Sequence, residues 1–112
     1  MTLQVDTVFI WVNDLEAAVE WYQTIGFEPG PLFETWQVMN VEGETKFALH
    51  QGIREPGPST AVVSFRVGDL DSEITRLATQ GIEPRDEITD TGTTRFTTFV
   101  DPDGNEIRLL ER

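Results

Sequence analysis

Apolar and polar positions divide the first half of the chain into one strand, one helix and three further strands. Positions 5–12 form an apolar run rich in β-branched and aromatic residues, which predicts a strand largely buried on both faces. Asp14 follows at a helix N-cap position, and Gly26 supplies the left-handed residue at which this helix would end. The apolar residues at helical spacing between them are Leu15, Ala18, Val19 and Tyr22. Strands near 27–34, 36–42 and 45–50 complete a βαβββ order.

The second half of the chain repeats this pattern. Val-Asn-Asp-Leu at 12–15 returns as Val-Gly-Asp-Leu at 67–70, and Gly-Phe-Glu-Pro at 26–29 returns as Gly-Ile-Glu-Pro at 81–84. Both pairs are 55 residues apart, an agreement that chance similarities rarely show. We therefore interpret the chain as two copies of one module.

The second copy predicts a strand at 61–67, a helix capped by Asp69 and ended by Gly81, and three closing strands. The apolar stripe of this helix is Leu70, Ile74 and Leu77, and the closing strands lie near 82–88, 93–100 and 105–111. The sequence thus predicts a single α+β domain over 1–112. Its βαβββ modules are at 1–51 and 60–112, with a Pro- and Gly-containing linker at 52–59.

A βαβββ module leaves one face of its sheet without a helix. Two modules, within a chain or across a dimer, would enclose a ligand cleft between these faces.

Composition narrows the classes of partner. The chain has 112 residues, of which 38% are apolar, enough to form the core of one domain. Its formal net charge is −12, from 20 acidic and 8 basic side chains. A polyanion repels nucleic-acid phosphates and anionic membranes, so we expect neither as a partner. Lys46 is the sole lysine, and acid excess with lysine depletion is typical of proteins from a salty cytoplasm, which indicates a halophilic source.

Two further features concern compartment and chemistry. The absence of cysteine excludes disulfides, thiolate nucleophiles and cysteine-based metal sites. The N-terminal stretch carries Asp6 within its apolar run and has no basic region, so it resembles neither a signal peptide nor a membrane span. We therefore expect a cytoplasmic protein.

The chain resembles the vicinal oxygen chelate superfamily, which includes glyoxalase I, extradiol dioxygenases, fosfomycin-resistance enzymes and bleomycin-resistance proteins. The resemblance rests on the strand ending in Val-x-Asp-Leu, the helix ending in Gly-Phe or Gly-Ile, and the hairpin Asp-Pro-Asp-Gly-Asn-Glu-Ile at 101–107. It implies the glyoxalase/bleomycin resistance/dihydroxybiphenyl dioxygenase-like fold, in which two tandem βαβββ modules form a cleft, and it implies a homodimer. The fold itself implies no single activity.

Metal-dependent members of this superfamily hold a divalent ion at four positions, which the resemblance places at Thr7, Ala48, Val62 and Arg108. A hydroxyl, a methyl group, an isopropyl group and a cation are not a ligand set for such a metal. We therefore expect no metal and no other cofactor. His50 lies two residues beyond Ala48 on the same face, and a shifted alignment would make it a single ligand, which is too few.

Strand alternation predicts which side chains would line the cleft. The candidate ligand-binding residues are Thr7, Phe9, Trp11, Trp36, His50, Ser64, Arg66 and Arg108. The rings of Trp11 and Trp36 would stack on a planar ligand, or else fill the core or a dimer interface. The guanidinium of Arg108 would bind an anionic or carbonyl-bearing ligand, or else form an internal ion pair or turn to solvent.

The leading hypothesis is a metal-free, homodimeric protein that binds a small organic molecule in an aromatic cleft, of the sequestration or resistance type. A neutral or anionic aromatic ligand fits the predicted cleft best. Catalytic residues stay unassigned, because no His or acid is spaced to activate Thr7 or Ser64. The alternative is a metal-dependent lyase, isomerase or dioxygenase of the glyoxalase I type with atypical ligands. A third hypothesis is a regulatory subunit whose cleft is filled by its own side chains.

Overall fold

The structure, a computed structural model, describes residues 2–112. In it the chain forms two compact units. The first unit ends at Glu55 and the second runs from Pro56 to Arg112, so the boundary falls within segment 52–59. Each unit has one helix and one four-stranded mixed sheet in the order βαβββ. This confirms the predicted α+β fold of two βαβββ modules.

The first unit contains β1 (Thr7–Val12), α1 (Leu15–Ile25), β2 (Glu28–Phe33), β3 (Trp36–Asn40) and β4 (Lys46–Gln51). Its strand order is β1-β4-β3-β2, with β1 parallel to β4 and the other neighbours antiparallel. Asp14 caps α1, since its carboxylate accepts a hydrogen bond of 3.2 Å from the backbone N–H of Ala17. Gly26 follows the helix with a φ of 132°, a conformation that favours glycine.

The second unit contains β5 (Val62–Arg66), α2 (Leu70–Ala78), β6 (Thr89–Asp90), β7 (Arg95–Val100) and β8 (Glu106–Glu111). Its strand order is β5-β8-β7-β6, with β5 parallel to β8. Asp69 caps α2 as Asp14 caps α1, accepting from the backbone N–H of Ser72 at 3.1 Å. The helix ends at Ala78, and a turn leads to Gly81, whose φ is 78°.

The two units have the same register between their parallel strands, which makes their positions directly comparable. Phe9 is registered with Ala48 in the first unit, and Ser64 is registered with Arg108 in the second. Because Phe9 and Ser64 are 55 residues apart, as the repeat requires, Ala48 and Arg108 are equivalent positions.

The core of each unit lies between the helix and the face of the sheet that the helix covers. Leu49 of β4 and Leu109 of β8 occupy equivalent buried positions on these covered faces. Other fully buried apolar residues are Val12, Tyr22, Met39, Leu70, Leu77, Phe99 and Ile107. The apolar periodicity of the sequence therefore corresponds to the core. Neither helix within residues 2–112 has the length and apolar character that a membrane span requires.

A side chain at the end of each closing strand fixes the start of the helix. The backbone N–H of Leu15 donates to Oε1 of Gln51 at 3.3 Å, and that of Leu70 donates to Oε1 of Glu111 at 2.9 Å. First-turn N–H groups have no partner within a helix, so these long-range bonds satisfy donors that would otherwise need water.

The predicted strand at 82–88 is wrong, because the structure has only the two-residue β6 further along the chain. Pro84 has no N–H to donate within this segment. The segment is attached to β7 instead by two hydrogen bonds of 2.8 Å, one from the N–H of Arg85 to the carbonyl of Thr98 and one from the hydroxyl of Thr97 to the carbonyl of Asp86.

The prediction that the first strand is buried on both faces is also wrong. The side chains of Phe9 and Trp11 are 49% and 45% exposed. Their face of β1 is the one that α1 does not cover, so this run of apolar residues contributes to a surface as well as to the core.

Candidate functional site

The sheet face of the first unit that α1 does not cover is named here the first open face. It carries the side chains of Thr7, Phe9, Trp11, Phe33, Trp36, Val38, Ala48 and His50. The neighbouring positions along β4, including Leu49, point to the covered face and are buried. The first open face therefore brings together every predicted site residue of the first unit.

Four rings lie side by side across the four strands of this sheet. Trp11 of β1 is registered with His50 of β4, and their ring centroids are 4.6 Å apart. His50 is registered with Trp36 of β3, which pairs in turn with Phe33 of β2. The rings of Phe33 and Trp36 are stacked, with centroids 4.3 Å apart and planes 19° from parallel. We call these four residues the aromatic row.

Phe33 is a site residue that the sequence pattern did not predict. Phe33 and Trp36 flank a two-residue turn, Glu34–Thr35, and a hairpin of this length places the flanking side chains opposite each other. This spacing was the signal that could have found Phe33. Phe9 extends the aromatic surface beside the row, with its ring centroid 5.6 Å from those of Trp11 and His50.

A cleft of about 730 Å³ opens over the first open face. This volume lies in the range of sites that hold drug-sized molecules. Phe9, Phe33, Trp36 and His50 provide the aromatic part of its lining. Ala48 lies among them, and its small side chain leaves depth where a larger one would fill the cleft. The cleft predicted between the open faces of the two modules stays a prediction.

One end of this cleft is polar. Asp6, Thr7, Thr45 and Lys46 line it there. The hydroxyl of Thr7 donates to the carboxylate of Asp6 at 2.6 Å, and the backbone N–H of Lys46 donates to the Asp6 carbonyl at 2.8 Å. The cleft thus combines apolar rings with a few polar groups at one end, the usual composition of a small-molecule site.

His50 is positioned as a member of the aromatic row. Its Nδ1 lies 3.1 Å from the backbone carbonyl of Gln51. Thr7 is registered with Lys46, four residues before His50 on β4, so His50 and Thr7 are about 13 Å apart along the sheet. That separation is too large for His50 to act as a general base for the Thr7 hydroxyl.

The four positions at which the family resemblance places metal ligands do not fit a divalent ion. Thr7 donates its hydroxyl proton to Asp6, Ala48 offers a methyl group, and Val62 offers an isopropyl group. Arg108 is a cation. Within residues 2–112, no group of three or more His, Cys, Asp or Glu side chains is arranged to hold a metal.

The second open face is the equivalent surface of the second sheet, turned away from α2. It carries Val62, Ser64, Arg66, Phe96, Thr98, Val100, Glu106, Arg108 and Leu110. The predicted site residues Ser64, Arg66 and Arg108 are therefore neighbours on one sheet. Ser64 and Arg66 are exposed, whereas the guanidinium carbon of Arg108 lies 4.0 Å from the centre of the Phe96 ring.

Several other arginines of the second unit are paired with carboxylates. Arg95 donates to Asp71 at 3.0 Å and to Glu111 at 3.1 Å, and these hydrogen bonds raise the pKa of its guanidinium above the ordinary value. Arg85 donates to Asp86 and to Glu106, which likewise raises the pKa of its guanidinium. Arg85 and Arg95 are therefore each the centre of a cluster of charge pairs in the second unit.

Comparisons with known proteins identify the fold. A model of the Glyoxalase/Bleomycin resistance protein/Dioxygenase superfamily matches residues 4–109. A glyoxalase family protein from Bacillus anthracis is 24% identical with a TM-score of 0.82, over 100% of this chain and 97% of that one. No protein of curated function matches the chain.

Two further solved structures are somewhat more similar in sequence. TnmS3, an antibiotic binding protein from a Streptomyces species, is 26% identical with a TM-score of 0.81, over 98% of this chain and 96% of that one. A glyoxalase/bleomycin resistance protein from Catenulispora acidiphila is 28% identical with a TM-score of 0.77, over 95% and 96% of the two chains.

Proposed function

The chain belongs to the Glyoxalase/Bleomycin resistance protein/Dioxygenase superfamily, and on this premise we propose that it binds and sequesters a planar aromatic small molecule without a metal. The observation that carries this proposal is the aromatic row on the first open face. The similarity to an antibiotic binding protein supports the same class of function.

The exposure of the rings supports binding. Trp11 and Phe33, at the two ends of the row, are 45% and 46% exposed, and Phe9 beside them is exposed to a similar extent. Large apolar surfaces are unfavourable in water, and a contiguous patch of them marks a site that another molecule covers. The rings are tilted, edge-on or stacked against their neighbours, so they offer a planar ligand the edges and outer faces of several rings on one side of the sheet.

The polar end of the cleft would orient the ligand. The ammonium group of Lys46 suits a ligand that carries a carbonyl or acidic substituent at one edge. The hydroxyl oxygen of Thr7, whose proton is donated to Asp6, can accept a hydrogen bond from a phenol. The carboxylate of Asp6 already accepts from Thr7, so it favours a donor less than a free carboxylate would. We therefore propose a neutral or anionic aromatic ligand.

We propose binding rather than catalysis because the hydroxyl of Thr7 is paired with the exposed carboxylate of Asp6, contrary to the expectation that no acid lies beside it, and a solvated carboxylate is too weak a base to activate an alcohol. Thr7 is the candidate hydroxyl nucleophile of the cleft, and the one histidine is about 13 Å away along the sheet. The ligand positions of metal-dependent relatives are occupied by side chains that do not coordinate metals.

We also propose that the protein is a cytoplasmic homodimer. Four aliphatic side chains of the first unit are more than 60% exposed, namely Leu3, Val5, Leu32 and Ile53. A second copy that covered them would remove this apolar area from water. Sedimentation velocity at micromolar concentration checks the dimer, and a monomer in that range would contradict it.

The binding proposal is tested with 2-naphthol as a planar probe and 2-decalol as a non-aromatic molecule with the same carbon framework. Isothermal titration measures the affinities, and the indole N–H signals in NMR spectra report which tryptophan is contacted. We expect 2-naphthol to shift the signal of Trp36, which lines the cleft, and to bind more tightly than 2-decalol. Trp36→Ala should lower the affinity for 2-naphthol about tenfold, because one stacking surface is lost.

Trp21 provides the control, since its ring packs against Tyr22 on α1 and is outside the cleft lining. Trp21→Phe should leave the affinity for 2-naphthol unchanged. A Trp36→Ala variant that binds as tightly as the unmodified protein would contradict the stacking proposal. A stoichiometric divalent ion that survives dialysis and is lost in His50→Ala would favour the metal-dependent alternative.

A further inference from the structure

Arg108 has an environment that differs from those of the paired arginines in its unit. The central carbon of its guanidinium lies 4.0 Å from the centre of the Phe96 ring. Its Nε atom is buried and has no hydrogen-bond partner among the residues that the structure describes. A buried N–H without a hydrogen-bond partner is unfavourable, so this arrangement lowers the stability of the folded protein.

The absence of a partner is notable because carboxylates are abundant. Arg76 pairs with Glu73, and Arg85 and Arg95 each pair with two carboxylates. Glu106 is two residues from Arg108 on the same face of β8, about 7 Å along the strand. Its carboxylate nevertheless binds Arg85, and no ion pair to Arg108 is formed within residues 2–112.

The neighbours of Arg108 combine hydroxyl groups with apolar side chains. Ser64 of β5 and Thr98 of β7 are its register partners on either side, and of these Ser64 is exposed and Thr98 is buried. The same face carries the charged residues Arg66 and Glu106 and four apolar side chains, namely Val62, Phe96, Val100 and Leu110. Val62 and Val100 are exposed.

We propose that the second open face is a binding site for the carboxylate of an apolar organic acid. Two N–H groups of a guanidinium match the two oxygens of a carboxylate, and the Phe96 ring packs against the guanidinium with its centre 4.0 Å from the guanidinium carbon. The exposed hydroxyl of Ser64, the register partner of Arg108 on β5, is a further donor on the same face. The surrounding valine, leucine and phenylalanine side chains select an acid with an apolar body over inorganic phosphate. This site goes beyond the proposed binding at the aromatic row and does not depend on it.

The experiment uses a probe that has no aromatic ring, so that it separates this site from the aromatic row. Cyclohexanecarboxylate is titrated into the full chain at pH 7, and the backbone amide signals of Ser64, Thr98 and Arg108 are followed by NMR. Cyclohexanecarboxamide is the neutral control, and sodium phosphate is the anion without an apolar body. We expect the carboxylate to bind about tenfold more tightly than the carboxamide, since only the carboxylate forms charge-assisted bonds.

Three variants connect this preference to Arg108. Arg108→Gln should reduce the ratio of the two affinities to about one, and Arg108→Lys should retain part of it, since it keeps the charge but loses the planar fork. Arg76→Gln removes the same charge from an exposed pair on α2 and should keep the full ratio. Amide spectra of the variants without probe establish that each is folded.

Some results would overturn the proposal even if Arg108→Gln did not fold. Equal binding of the carboxylate and the carboxamide to the unmodified protein would do so, as would signal changes confined to the first unit. Phosphate that shifts the same amide signals as strongly as the carboxylate would overturn the selection for an apolar acid. Failure of 2-naphthol to bind at the aromatic row would leave this site unaffected.

Discussion

The open faces of the two units carry different side chains at equivalent positions. Phe9 of the first unit corresponds to Ser64 of the second. Ala48, whose small side chain leaves room for the cleft, corresponds to Arg108. Where the first face presents a row of rings, the second presents an arginine in register with Ser64 and Thr98.

The helix caps and the covered faces, by contrast, carry the same residue types at equivalent positions in the two units. Asp14 and Asp69 cap the two helices with similar geometry. Leu49 and Leu109 occupy the same core position. A covered face must pack against its helix, which limits substitution, whereas an open face has no such constraint. The two units therefore differ in the side chains that their open faces present.

The first prediction tests the equivalence of the covered faces and has the largest expected effect. Leu49→Ala and Leu109→Ala should each lower the free energy of unfolding by about 2–5 kcal/mol, because each leaves a cavity in a core. Urea unfolding followed by circular dichroism measures both. The control is Thr60→Ala at an exposed position, which should change stability by at most about 0.5 kcal/mol. A large difference between the two core variants would contradict the equivalence of the faces.

The second prediction concerns a turn in which the units differ. In the second unit Asp101 is buried and accepts hydrogen bonds from the backbone N–H groups of Asp103 and Asn105 and from the Asn105 side chain. Asp101→Ala leaves these donors without a partner and should cost about 2 kcal/mol in unfolding experiments. Glu44 lies in the corresponding turn of the first unit and is exposed.

Glu44→Ala is the matched control for this turn and should leave stability nearly unchanged. If Asp101→Ala were as stable as the unmodified protein, the carboxylate would not be what organises the turn between β7 and β8.

The third prediction disturbs the aromatic row without removing a ring. A Cβ atom on Gly52 would lie 2.5 Å from Cε3 of Trp11, so Gly52→Ala must displace the indole from its place beside His50. We expect a loss of about 1 kcal/mol in stability and a shift of the Trp11 indole signal. Gly68→Ala, after β5, is the control because a Cβ atom there meets nothing within 4 Å. An unchanged Trp11 signal in Gly52→Ala would mean that the indole is not held against this glycine.

The features that the sequence predicted well depend on local physics. Apolar periodicity and the N-cap aspartates identified the helices and the covered faces, because a helix and its cap are determined by residues a few positions apart. Strand alternation alone grouped Thr7, Phe9 and Trp11 on one face.

The features that it missed depend on residues far apart in the chain. The segment 82–88 reads as a strand, but its one backbone bond to Thr98 is set by how β7 lies in the sheet. Alternation placed Arg108 on the open face, yet its contact with Phe96 depends on the register of β7 with β8. Local patterns carry no information on such pairings.

The smallest expected effect is the response of the second helix cap to acid. The carboxylate of Asp69 accepts hydrogen bonds from both the N–H and the hydroxyl of Ser72, and these lower its pKa below the ordinary value. Asp14 accepts a hydrogen bond from the N–H of Ala17 at the equivalent cap. The contribution of Asp69 is therefore complete above the pKa of an unfolded aspartate, about 3.9, and is lost as the pH falls through the lower folded value.

We expect Asp69→Asn to flatten the decline in unfolding free energy below about pH 4, because an amide cannot take up the proton that destabilises the cap. Ser72→Ala removes the hydroxyl that donates to this carboxylate and should flatten the decline in part. Urea unfolding between about pH 2 and pH 6, a range that includes the pKa of an unfolded aspartate, measures both variants. An acid response of Ser72→Ala equal to that of the unmodified protein would show that the Ser72 hydroxyl adds nothing to the second cap.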